Sequence, residues 1–181
     1  MGKNGAVAHA RVIMATAAVM AAGAPAASAR AQVLGSDAAA CTTEHVPAIR
    51  ATVTGFKDRK GELKLELYPA NEDDFLAGDK KLIAEGKVFR RVTVTPPPAG
   101  DAVICIRVPR PGRYALFLGH DRDGKRKFNF WSDGAGFPSN NRIGRSRPKV
   151  EDALIDVGAG VANTTIRVQY LKGLGGFGPL N

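Results

Sequence analysis

Two cysteines and one tryptophan are all that the 181 residues contain. Two thiols are too few for a structural zinc site. No acidic residue precedes Asp37, and the longest uncharged run near the start, VIMATAAVMAA from Val12 to Ala22, is about half of the roughly 20 apolar residues that span a bilayer. That shortfall argues against a membrane anchor, and the mature chain is expected to have no transmembrane helix. Internal repeats and apolar heptads are absent, which excludes solenoids and coiled coils. No nucleophile-elbow pattern surrounds Ser132. No cofactor is expected.

What the first thirty residues do contain is ordered. Lys3 and Arg11 come first, then the uncharged stretch, then the helix breakers Gly23 and Pro25, then the small-residue run Ala26-Ala27-Ser28-Ala29. Basic start, short apolar middle and small-residue exit are the parts of a secretory signal peptide. Ala27 and Ala29 suit cleavage before Arg30, giving a leader of residues 1–29; Ala29 and Ala31 suit a cut before Gln32. A lipoprotein is not indicated, because Cys41 lies far beyond the apolar segment. The expectation is an exported chain, periplasmic or extracellular.

Loss of the leader removes two of the 26 basic residues and none of the 17 acidic ones, so the mature net charge is +7. About 150 residues then remain, enough for one domain that buries roughly 70% of its unfolded surface. Cys41 and Cys105 both belong to it, in a compartment where thiols oxidise, and a structural disulfide follows. Closing a loop of that size stabilises by about 4 kcal/mol in the chain-entropy picture.

Residues 30–48 read as an irregular N-terminal arm. Period-two alternation begins with Ile49, Ala51 and Val53 and is clearest at Leu63, Leu65 and Leu67, set against Glu62, Lys64 and Glu66. Residues 71–85 break the pattern. Asn71 can cap a helix whose positive end suits Glu72, Asp73 and Asp74, Gly78 makes one long helix doubtful, and Phe75, Leu76, Leu82 and Ile83 are candidates for the core. Residues 87–95 return to β character. Residues 102–108 and 114–118 are apolar on both faces, as in strands central to a sheet, and 153–157 and 164–171 complete the set. The expected fold is all-β: a single β-sandwich of about seven strands over residues 49–172, with one short helix and a flexible Gly-rich tail at 173–181. A small closed barrel is the alternative.

Three stretches carry a family resemblance: TVTGFKDRKGELKLELYPANEDDFL (52–76), PGRYALFLGHDRDGKRKF (111–128) and GFPSNN (136–141). They resemble the exported bacterial proteins of domain of unknown function 2141, over roughly residues 41–171. The resemblance implies export and an immunoglobulin- or transthyretin-like sandwich, and it implies no activity. Relatives often carry an Asp/Asn/Gly-rich loop suited to calcium after the His-Asp pair. Here Lys125, Arg126 and Lys127 stand where oxygen ligands would be needed.

Three constellations compete for a function. Asp121 and Asp123 have the spacing of the first two ligands of a calcium loop, and Asn129 can add an oxygen, yet Gly124 comes too early for an EF-hand and no acidic residue closes the loop. His120, Asp121, Ser132 and Asp133 are close in sequence, so a hydrolytic site can be drawn, though no catalytic residue is assigned. The third signal is charge. Eleven basic residues between Arg107 and Lys149 face only three acids. Arg122, Lys125, Arg126, Lys127, Trp131, Arg142, Arg145 and Arg147 form the candidate binding set, with Phe128, Phe130 and Phe137 interleaved. If the loops 121–133 and 138–149 share one end of the sandwich, they suit an anionic polysaccharide, lipid headgroup or acidic envelope protein. Nucleic acid is not expected outside the cytoplasm. A non-enzymatic, monomeric binding module is the leading expectation, with a calcium-binding or hydrolytic protein and a structural accessory module of an envelope complex as alternatives.

Overall fold

The computed structural model describes residues 1–2, 32–125 and 127–180. Residues 3–29 of the expected leader and the candidate Arg126 lie outside the described residues. From residue 32 onward the chain is mostly β, in two sheets. The first has the order β1 (Val33–Leu34), β5 (Ala102–Arg107), β2 (Ala48–Thr54), β9 (Val161–Arg167). The second has the order β11 (Phe177–Pro179), β10 (Gln169–Leu171), β7 (Gly134–Gly136), β6 (Gly112–Asp121), β3 (Glu62–Pro69), β4 (Arg90–Val94), with β8 (Leu154–Val157) beside the first half of β6.

Alternation decides what each face meets. Leu63, Leu65 and Leu67 of β3 point inward with Leu116 and Leu118 of β6, against Ile49 and Val53 of β2 and Ile104 and Ile106 of β5; all are fully buried. Removing one such leucine to alanine typically costs about 2–5 kcal/mol. The two doubly apolar segments are interior strands, β5 between β1 and β2, and β6 between β3 and the β7/β8 side. Periodicity located seven strands; among the described residues there are eleven. The additional ones, β1, β7, β10 and β11, are two or three residues long, too short for a period of two to show. The expected strand 164–171 is split. Its first part pairs in parallel with β2, and after the buried Val168 its remainder pairs with β7 in the other sheet. One extended segment thus forms a corner between the sheets.

The N-terminal segment covers the outer face of the first sheet. Val33 and Leu34 pair with Val103 and Ile104, and Cys41 is bonded to Cys105, with their Cα atoms 5.9 Å apart. Asp37 accepts from the Arg107 N–H at 2.9 Å and from the Arg90 guanidinium. At 71–85 the helix starts later than its capping residue suggests. Asn71 accepts the Asp74 N–H through its side chain and the Phe75 N–H through its carbonyl, closing a turn; α1 is Asp79–Ala84, after Gly78. Phe75 and Leu82 are buried as expected, whereas Ile83 is 63% exposed. The glycine-rich end, expected to be loose, carries β11, and Phe177 is buried and exchanges both backbone hydrogen bonds with Gly144. No helix among the described residues is long and apolar enough to cross a membrane.

Candidate functional site

His120 is the last residue but one of β6 and is completely buried. Its Nε2 lies 2.8 Å from the carbonyl of Lys60, which only accepts, so this nitrogen carries the proton. Nδ1 then accepts from the Tyr170 hydroxyl at 2.7 Å, and that oxygen accepts the Lys57 N–H at 3.1 Å. Burial holds the imidazole below its usual pKa. Both nitrogens are therefore occupied in fastening the 56–61 turn to β6 and β10. Ser132 bonds instead to Asp133 and Asp123, at 2.8 and 3.2 Å. Base and hydroxyl are not joined, and the geometry of a nucleophilic pair is absent here.

The acidic residues do meet. Ligand oxygens of Asp121, Asp123 and Asp133 lie within 4.8 Å of one another. Asp133, set ten residues beyond Asp123, was not among the sequence candidates for this cluster, and only the closure of the loop brings it in. Each carboxylate is held by protein donors. Asp121 takes the Lys64 ammonium and the Gly124 N–H. Asp123 takes the Asn129 amide at 2.7 Å and the Lys125 N–H at 3.1 Å. Asp133 takes the N–H groups of Arg122 and Asn129. Burial pushes the Asp121 carboxyl up, but Lys64 and Gly124 outweigh it and leave the group below the usual carboxylate range. Asn129 presents its NH2 to the cluster, while its oxygen accepts the Trp131 N–H at 3.1 Å. As arranged, these groups hold the 121–133 loop closed.

A large concavity lies on the outward face of the second sheet, with Asp121 and Asp133 of the acidic cluster among its lining residues. It is a groove of about 1620 Å³. Its floor is the outward set of alternating positions: Glu62, Lys64 and Glu66 of β3, Arg91 and Thr93 of β4, Phe117 and Gly119 of β6, and Ala135 of β7. Two causes keep it open. Gly119 and Ala135 are register partners, so the middle of the floor has almost no side chain. The neighbouring half of that face is already filled by Tyr68, Phe75, Leu82, Phe137 and Val150, a second apolar cluster built by the 71–89 and 143–153 segments. Both floor cations are paired, Lys64 with Asp121 and Arg91 with Glu66 and Asp79.

One wall is aromatic. Phe128 stands edge-on to Phe130 at 5.3 Å and to Phe117 at 6.4 Å, and Phe130 packs on Phe177 at 6.0 Å. Phe117 continues to Phe137 and Phe75, so the row of rings runs from the wall across the sheet into the second cluster. Trp131 is 85% exposed on this wall. The wall carries cations as well.

The candidate binding residues divide. Lys127 and Trp131 from the first loop and Arg145 and Arg147 from the second line this one groove, so the two basic loops do share a face. They share the outer face of a sheet, because the 121–133 loop folds back over β6 and the 138–149 loop bridges to β11, rather than gathering at an end of the sandwich. Arg147 also donates to the Phe75 carbonyl at 2.8 Å, and Arg142 to the Gly175 carbonyl at 3.0 Å. Lys125 lies 3.5 Å from Asp123. Arg122 points inward. It forks onto Asp58 and donates to the Ser132 carbonyl at 2.6 Å, and its hydrogen bond, against the opposing effect of burial, holds the Asp58 carboxyl down at about 2. Lys127 and Arg145 are exposed and have no acidic partner among the described residues. Phe117, Phe177 and the Gly119–Ala135 gap were not singled out from sequence. The outward register of β6 and β7 marks Phe117 and the gap, and pairing of β11 with β10 marks Phe177.

Fold and site together define an all-β, two-sheet protein with a disulfide-pinned N-terminal segment and an aromatic, cationic groove on one sheet. Residues 51–166 match the family model described as an uncharacterized protein conserved in bacteria, domain of unknown function 2141, and the chain belongs to that family. No curated protein and no solved structure matches the chain.

Proposed function

We propose that this chain is an exported, non-enzymatic module, periplasmic or extracellular, with an immunoglobulin- or transthyretin-like sandwich whose outer-face groove binds an anionic partner of the cell envelope. One observation carries the reading: Lys127 and Arg145, from two separate loops, stand exposed and unpaired among the described residues beside the exposed Phe130 and Trp131 at the same groove. Charge draws in an anion and aromatic faces supply area and cation–π geometry. The non-enzymatic part is supported by His120 and Ser132, each fully engaged with structural partners. Export is supported by the order of the first thirty residues and by the Cys41–Cys105 bond.

The test is retention of the protein on an immobilised anionic matrix eluted with a salt gradient. Wild type should elute late, and a Lys127→Glu, Arg145→Glu variant markedly earlier, because attraction of these exposed charges to the matrix is what rising salt screens, and their reversal turns it to repulsion. Arg110→Glu, distant from the groove in sequence and not among its lining residues, should elute nearly as wild type. Gly119→Val should also weaken retention while keeping the charge, since a Cβ there meets only the Phe117 ring, at 3.3 Å, and a larger side chain rises into the groove. Equal elution of wild type and the double reversal would remove the proposal.

A further inference from the structure

Among the described residues, the large apolar side chains that stand well exposed, Met1 apart, are Ile83, Phe128, Phe130, Trp131 and Leu174. Four of these five line the groove. Single exposed apolar residues are ordinary on a soluble protein, whereas several on one crest mark an interaction surface. Their bases are anchored and their outer parts are free. Phe130 leans on Phe128 and Phe177, which is itself buried, while Phe130 remains 65% exposed. Leu174, 86% exposed, tips the 173–175 turn just before Phe177. Lys125, Lys127 and Arg145 flank these tips and are all exposed.

The polar groups of the same wall face inward. The Asn129 amide is spent on Asp123 and on the Trp131 N–H, and the Ser132 hydroxyl on Asp123 and Asp133. A sugar needs outward donors and acceptors to satisfy its hydroxyls, and this crest offers aromatic edges, a leucine and ammonium or guanidinium groups instead. Tryptophan, phenylalanine and leucine beside lysine and arginine are what an anionic bilayer surface accepts: apolar tips enter the boundary between headgroups and acyl chains, and cations stay with the phosphates. The paired charges on the groove floor, Lys64 with Asp121 and Arg91 with Glu66, make it a poor bed for an isolated acyl chain. The crest, rather than the floor, meets the lipid. Resting on the proposed anionic-partner function, we infer that this partner is an anionic phospholipid surface, onto which the chain docks by inserting Phe130, Trp131 and Leu174 with Lys125, Lys127 and Arg145 on the headgroups.

Trp131 is the only tryptophan, so the chain carries its own reporter at the point of insertion. The protein, purified from the compartment where it accumulates, is mixed with phosphatidylcholine vesicles, with vesicles containing phosphatidylglycerol, and with acyl-brominated lipid in either. The expected result is a blue shift and bromine quenching of Trp131 with phosphatidylglycerol present, and neither with phosphatidylcholine alone. Replacing Lys125, Lys127 and Arg145 by glutamine should lower vesicle affinity about 100-fold, at about 5-fold per cation. Phe130→Ser with Leu174→Ser should lower it by at least about 10-fold and abolish quenching. Both variants change exposed side chains, and the wild-type quenching measurement needs no variant. Vesicle binding with Trp131 unquenched overturns insertion by this crest. Binding to soluble polygalacturonate without vesicle binding overturns the lipid inference and leaves the anionic-partner function standing. Binding to neither overturns both.

Discussion

Tyr170→Phe removes one hydroxyl that serves two partners. The Lys57 N–H belongs to an exposed turn and can turn to water, but His120 Nδ1 is fully buried and loses its only donor. Leaving one buried acceptor unsatisfied costs about 1–3 kcal/mol, a sizeable share of the roughly 5–15 kcal/mol that holds a domain of this kind together. Urea unfolding followed by far-ultraviolet circular dichroism reads it, since Trp131 is too exposed to report on the core; the midpoint should fall while the slope with denaturant stays constant. Acidity supplies the second arm. Burial, opposed by the bond to Lys60, holds His120 below its usual 6.5. The unfolded chain therefore takes up a proton that the native chain refuses. The stability that His120 contributes is complete above that value and falls as the pH drops below it, by up to about 1.4 kcal/mol per pH unit. Measured at about pH 7.5 and about pH 5.5, wild type should lose stability and His120→Asn, which cannot be protonated, should lose much less. A Tyr170→Phe loss below about 0.5 kcal/mol, or equal pH slopes in wild type and His120→Asn, would refute the reasoning.

Other consequences are separable from this one. Replacing Cys41 and Cys105 by serine opens a link across a sequence separation of 64 and should lower unfolding stability by about 4 kcal/mol, read as the same loss when wild type is reduced. Gly61 has φ +70°, and a Cβ there would lie 1.9 Å from the Asp121 carbonyl oxygen; Gly61→Ala should cost about 2 kcal/mol or more in urea unfolding, although the turn is on the surface. Arg122→Ala should destabilise by about 2 kcal/mol, because it strands the Asp58 carboxylate, whereas Lys127→Ala should leave stability within about 0.5 kcal/mol and change only binding. The same pair gives an acid signature. Asp58 is held at about 2 instead of 3.8, so its contribution is complete above 3.8 and is lost as pH falls toward 2, and Arg122→Ala should remove that part of the acid unfolding curve.

Much of the architecture is legible in the residues themselves, because a half-buried strand must alternate. Leu63, Leu65 and Leu67 could face only one interior, and the two cysteines, Cys41 and Cys105, had only each other. What the chain does not announce locally was decided by tertiary contact. β1, β7, β10 and β11 are strands because a neighbouring edge offers hydrogen bonds, and two or three residues carry no period. Segment 164–171 reads as one run of β character, yet Val168 turns it from one sheet to the other, since a buried corner is invisible to alternation. Charge counting found the basic loops but could not say which cations were spent: Arg122 is satisfied inside by Asp58, and Lys127 and Arg145 are left outside. The groove exists because Gly119 happens to face Ala135 across two strands while Phe117 and Phe177 seat the aromatic wall. Such an opening is a matter of register between segments distant in sequence, and register is a property of the folded molecule.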